Sequence, residues 1–167
     1  IDDDEKDRYR NDNYVANIGY QINDQIRTET YINYTDTFLE YDAVALASTD
    51  DNSTDDQQTL FSTKLILDYG NLLNTISFNK TYFLRETVTG YNSGTSTKKM
   101  YEGKRDAINL LGQYNLNLDT KVNYGLEYEI DNAEIPSNYT TGSTYHAAKY
   151  ASAEEEINSQ YVDLQFR

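Results

Sequence analysis

The sequence predicts an all-β chain, an antiparallel up-and-down meander of about seven strands that forms part of a transmembrane β-barrel. Three observations lead there. Apolar and polar residues alternate with period two through nearly every ordered-looking stretch. The connections between those stretches run short, long, short, long, short, long, as in outer-membrane barrels with tight turns at one end and large loops at the other. The aromatic residues are mostly tyrosine, with Tyr 17 against Phe 5 and Trp 0, and a ring with a polar tip suits the boundary between lipid and water.

The first strand runs from Tyr14 to Ile22, with Tyr14, Ala16, Ile18, Tyr20 and Ile22 on one side and Asn17, Gly19 and Gln21 on the other. Asn23-Asp24-Gln25 is turn chemistry. The chain returns with Ile26, Thr28, Thr30, Ile32 and Tyr34 against Arg27, Glu29, Tyr31 and Asn33. A polar stretch, about 41 to 58, has no periodicity and reads as a loop. The third strand sets Phe61, Thr63, Leu65, Leu67 and Tyr69 against Ser62, Lys64, Ile66 and Asp68; a short connection at 70–74 leads into Ile76, Phe78, Lys80, Tyr82 and Leu84. Lys80 interrupts that apolar side.

A second polar loop is expected from about 87 to 104. The fifth strand places Ile108, Leu110, Gly112, Tyr114 and Leu116 against Asn109, Gln113 and Asn115, with Leu111 as an apolar exception on the wet side. After Asn117-Leu118-Asp119 comes the cleanest alternation, Val122, Tyr124, Leu126, Tyr128 and Ile130 against Lys121, Asn123, Gly125, Glu127 and Glu129. The longest loop, about 131 to 157, holds Pro136, and the last strand alternates Val162, Leu164 and Phe166 with Asp163 and Gln165. The residues expected to face lipid are Ile18, Tyr20, Ile32, Leu65, Leu67, Phe78, Leu110, Tyr114, Val122, Tyr124, Leu126, Tyr128 and Leu164. A soluble β-sandwich or lipocalin-like barrel shows the same alternation. The charged wet side and the tyrosines near strand ends favour the membrane.

Composition narrows the function. A formal charge of -14 argues against a nucleic-acid partner. With Cys 0 there is neither a disulfide framework nor a thiolate metal site. No run approaches the ~18 apolar residues of a membrane helix. His146 stands alone in Ser143-Thr144-Tyr145-His146; a lone histidine without a nucleophile and an orienting group beside it is no basis for catalysis, so no enzyme is expected. Two loop features could carry binding. Asp50, Asp51, Asp55 and Asp56 supply hard oxygen ligands of the kind calcium takes, although acid clusters also serve simply as solvated surface. Tyr91, Tyr101, Tyr139 and Tyr145 could stack on a small-molecule ligand or be structural.

Seven strands is an odd number, and single-chain bacterial barrels close with an even one. Residues 1–167 are therefore expected to be a partial barrel domain, because open strand edges are costly in lipid. With the strands placed, the sequence resembles the barrel region of TonB-dependent outer-membrane receptors, the cobalamin-receptor branch in particular. The resemblance lies in Tyr9-Arg10-Asn11-Asp12-Asn13-Tyr14 entering Asn17-Ile18-Gly19-Tyr20-Gln21-Ile22-Asn23-Asp24, and in Asn109-Leu110-Leu111-Gly112-Gln113-Tyr114-Asn115-Leu116 leading to Val122-Asn123-Tyr124-Gly125-Leu126-Glu127-Tyr128. It implies a Gram-negative outer-membrane location and a barrel of about 22 strands with a plugged lumen. It also implies energised uptake of a scarce ligand such as cobalamin or a metal chelate, and an energy-coupling periplasmic protein reached through a plug domain outside this segment. Loop carboxylates that bind calcium are part of the same implication. The alternatives are a passive porin or adhesion barrel without a plug, and a soluble β-rich binding domain.

Overall fold

The computed structural model describes residues 7–42, 51–89, 97–135, 138–140 and 151–166. Among them the chain is all strand and turn, with no helix. The strands are β1 (Tyr9–Asn23), β2 (Ile26–Asp42), β3 (Asp51–Asp68), β4 (Leu72–Thr89), β5 (Thr97–Asn115), β6 (Thr120–Ile135), β7 (Asn138–Thr140) and β8 (Ala151–Phe166). The seven long ones form a single antiparallel sheet in the order β1-β2-β3-β4-β5-β6-β8, and the three-residue β7 pairs with the start of β5. The expected meander is present. Among the described residues the sheet is open, with β1 at one edge and β8 at the other.

Side-chain chemistry fixes each tight turn. Asn23 Oδ1 accepts hydrogen bonds from the backbone N–H groups of Gln25 and Ile26, both at 2.9 Å, closing β1 onto β2. Asp68 Oδ1 accepts from Gly70 N–H at 2.9 Å. Gly70 has φ +80, a left-handed conformation that only glycine enters without steric cost. Asn117 Oδ1 accepts from Asp119 N–H at 2.9 Å between β5 and β6. β6 ends at Ile135, next in sequence to Pro136, whose nitrogen has no hydrogen for a ladder.

The strands are much longer than the alternation alone indicates. β3 starts at Asp51 and β5 at Thr97, inside stretches expected to be loop, and β8 begins at Ala151 inside a third. The physical reason is visible in the register. Thr54 to Gln58 pair continuously with residues 35–39 of β2, and this part of β3 is itself polar on both faces. Polar-on-both-sides strand has no period-two signal, yet its backbone ladder runs on uninterrupted. The connections are correspondingly shorter than expected.

Residues directly opposite each other across a ladder point the same way, so each row of partners belongs to one face. One such row on the apolar face reads Ile18, Thr30, Thr63, Phe78, Ile108, Tyr128 and Asn158. Toward the short turns, the next reads Tyr20, Thr28, Leu65, Ile76, Leu110, Leu126 and Gln160. The apolar residues thus form one belt across the sheet. Tyr14 and Tyr34 stack with ring centroids 6.3 Å apart, Phe61 and Phe78 tilt at the same separation, and the Thr30 and Thr63 hydroxyls share a hydrogen bond at 3.0 Å. Such pairs fix the register, since a one-residue slip would turn every one of these side chains to the wet face.

Candidate functional site

Every residue expected to face lipid falls on this one face: Ile18 and Tyr20 from β1, Ile32 from β2, Leu65 and Leu67 from β3, Phe78 from β4, Leu110 and Tyr114 from β5, Val122, Tyr124, Leu126 and Tyr128 from β6, and Leu164 from β8. No second layer lies on them among the described residues. Ile18 is 65% exposed, Leu126 53% and Ile108 50%, and Ala107 is the one buried apolar side chain described. A row of branched and aromatic side chains in water at that exposure is unfavourable by about 25 cal/mol for each Å². The belt requires an apolar medium or partner.

Lys80, the interruption in that belt, stands directly opposite Asp106 and forms an ion pair with it at 3.0 Å. Above this level the same face becomes charged. Arg10 bridges Asp12 and Asp36, Lys98 meets Glu86, and Lys104 pairs with Glu102 while lying 5.9 Å from the centre of the Tyr82 ring. The face therefore has two zones, apolar toward the short turns and ionic toward the long connections.

The other face is mainly polar, with scattered apolar residues such as Leu60, Ile66 and Leu111. At belt level it carries Asn17, Glu29, Lys64, Asn79, Asn109 and Glu127, and Ser62 Oγ donates to Asn79 Oδ1 at 2.7 Å. Leu111, Gly125 and Tyr161 share one row there, with the Tyr161 ring lying over Gly125. Higher up, Arg85 makes a two-pronged contact with Asp56 at 2.6 and 2.8 Å, and Arg105 does the same with Asp131 at 2.7 and 2.5 Å while Glu129 lies 3.3 Å away. Around Arg105 and Asp131, Thr81, Phe83, Gly103, Ala133 and Ala153 border a groove of about 700 Å³, a size that suits small ligands. The pairing Arg105–Asp131 is invisible to periodicity, which gives a residue's face but not its opposite number.

The residues singled out for loop chemistry land differently. Asp55 and Asp56 lie within β3, on opposite faces, so the strand does not bring them to one ion. Asp56 is held by Arg85. Burial, reinforced by the charge of Asp36, raises the Asp55 carboxyl above its ordinary value in the ionic zone. The Asp50 position lies outside the described residues, and of Asp51 only the backbone is described. Among the described residues no group of three or more acidic or histidine side chains is placed to hold a metal. Tyr101 is a strand residue of β5, on the wet face, and Tyr139 lies in β7 opposite Lys98; Tyr91, Tyr145 and His146 fall outside the described residues.

At the top of the first hairpin, Arg8 donates two hydrogen bonds to the Glu40 carboxylate at 2.7 Å. They hold the Glu40 carboxyl below its ordinary value. A depressed carboxyl stabilises the fold above the unfolded-state value and ceases to do so as pH falls through the folded one. Acidification below the usual carboxylate range is thus expected to reduce the hydrogen-exchange protection of the Glu40 amide, which donates to Arg8 C=O at 2.8 Å. Glu40→Gln should reproduce that loss at neutral pH, and protection unchanged in both cases would show the contact to be idle.

Comparison with protein-family models, with curated proteins and with solved structures finds no match for this chain.

Proposed function

We propose that this chain is a stretch of the wall of a transmembrane β-barrel in a Gram-negative outer membrane, its apolar belt against the lipid bilayer and its wet face toward the interior. The observation that carries this reading is the apolar belt shared by all seven long strands, with no second layer over it among the described residues, backed by a face rich in Asn, Gln, Glu, Lys and Arg. A soluble sandwich would cover such a belt with a second sheet. The edges fit the same reading. β1 and β8 both run toward the short-turn end, so an all-antiparallel wall closes through an odd number of further strands between them.

Within that barrel the proposed activity is energised uptake of a scarce small molecule, cobalamin or a metal chelate, as the resemblance to TonB-dependent receptors implies. The two-zone face supports it. Strands of 15 to 19 residues rise roughly 50–60 Å, well beyond a ~25 Å apolar band, and form a tall rim in which the groove beside Arg105 and Asp131 is open to a ligand. A plug domain filling the lumen and contacting the periplasmic coupling protein completes the mechanism. The test is uptake of labelled cobalamin by cells expressing the intact protein, with and without an uncoupler. Saturable uptake abolished by the uncoupler supports the receptor; uncoupler-insensitive, non-saturable entry identifies a passive pore instead.

A further inference from the structure

We infer that the groove beside Arg105 and Asp131 binds an amphiphilic cation, a flat apolar body about 14 Å long that ends in an ammonium group. The inference rests on the reading of the wet face as a lumen wall that small molecules reach, and it names the class of ligand for that site. One row of partners forms the groove floor: Phe83 on β4, Gly103 on β5, Ala133 on β6 and Ala153 on β8. Three strand-to-strand steps at ~4.8 Å give this floor its length of about 14 Å. The neighbouring row toward the short turns is taller and polar, with Thr81, Arg105, Asp131 and Glu155. The result is a trough of about 700 Å³, with a phenyl ring at one end and a carboxylate at the other.

Gly103 shows that the protein does not fill this trough itself. Gly112 and Gly125 lie under the rings of Tyr124 and Tyr161, which restore packing that a strand glycine gives up. Gly103 has no such cover. A β-carbon there would meet only Phe83 Cβ, at 4.0 Å, an ordinary contact, and its φ is not positive. Neither packing nor backbone conformation therefore calls for glycine at this position. A glycine inside a strand weakens it and often marks close approach by a ligand. Ala133 and Ala153 continue the same low, exposed floor to β8.

Charge selects the ligand. Arg105 is already held, with two hydrogen bonds to Asp131 and Glu129 lying 3.3 Å away. Lys104, next to it in β5, belongs to the opposite face, where it pairs with Glu102. Glu155 closes the β8 end of the groove and has no ion-pair partner among the described residues. Glu129 and Glu127 follow Asp131 down β6 on the same face. An anionic ligand would have to displace Asp131 from Arg105 and then lie against these carboxylates, whereas an ammonium meets them directly. That sets a negatively charged metal chelate aside.

Two dansyl probes of similar length separate the charges: dansylcadaverine ends in an ammonium, and dansyl-6-aminohexanoate ends in a carboxylate. Both are titrated by fluorescence against the intact protein in phosphatidylcholine vesicles, with protein-free vesicles as the baseline. The ammonium probe should bind saturably, and about tenfold or more tighter than the carboxylate probe. Glu155→Gln should weaken it by about tenfold. Gly103→Val should abolish saturable binding while leaving the unfolding midpoint unchanged. Equal affinity for the two probes, or ammonium binding unchanged in either variant, would overturn the inference. Either result leaves the barrel reading standing, because flotation of the protein with the vesicles tests that separately. A protein that fails to float contradicts the barrel reading, and the probe preference still decides the groove.

Discussion

Leu126→Arg is expected to destabilise the membrane-inserted protein by about 2–4 kcal/mol, the cost of a charge on the lipid side near the bilayer midplane. Leu126 is the middle apolar residue of β6, with Tyr124 and Tyr128 flanking it on the same face, and it is more than half exposed there. The arginine could not reach the headgroups easily, since the belt extends two same-face residues in each direction along β6. The comparison is Asn109→Lys on the wet face, where the new cation would sit directly opposite Glu127. That change should alter stability by less than about 1 kcal/mol. Urea unfolding of the intact protein in lipid vesicles measures both. Equal small effects would mean that the two faces meet the same solvent.

The second large effect is expected at Gly112. It sits between Asn74 on β4 and Tyr124 on β6 in one row, and the Tyr124 ring crosses over it so that its hydroxyl donates to Asn74 Oδ1 at 2.5 Å. A β-carbon on residue 112 would overlap that ring. Gly112→Val should therefore cost about 2–4 kcal/mol, combining overpacking with loss of the tyrosine hydrogen bond. In the double variant Gly112→Val with Tyr124→Ala, the ring is gone and the valine has room. The combined loss should fall short of the sum of the single losses by about 1 kcal/mol or more. Strict additivity in the same unfolding assay would refute the packing. Aromatic cover over a strand glycine is a recognised way of restoring packing that the glycine gives up, and Tyr161 over Gly125 repeats it on the wet face.

These two positions also mark how far the sequence could be read. Leu126 was legible because its neighbours alternate cleanly and period two assigns a face without any knowledge of the partner strand. Gly112 and Tyr124 were assigned to the same face, but their contact depends on which residues stand opposite, and periodicity is unchanged by a slip of two. Lys80 looked like a flaw for the same reason; only the register supplies Asp106. The strand segments from Asp51 to Gln58 and from Thr97 to Lys104 were illegible as strand because polar residues dominate both of their faces, which leaves no alternation to read. Asp55 and Asp56 then read as a loop cluster. In the structure they are neighbours along a strand and point to opposite sides of the sheet.

The central claim is that the apolar belt touches hydrocarbon. With Trp 0 in the sequence, Leu126→Trp supplies a single indole at the middle of the belt, and its fluorescence in vesicles containing brominated acyl chains tests the claim directly. Strong quenching by the brominated lipid together with protection from aqueous iodide is the predicted result. Quenching by iodide with no response to bromine would place that side chain in water and contradict the account.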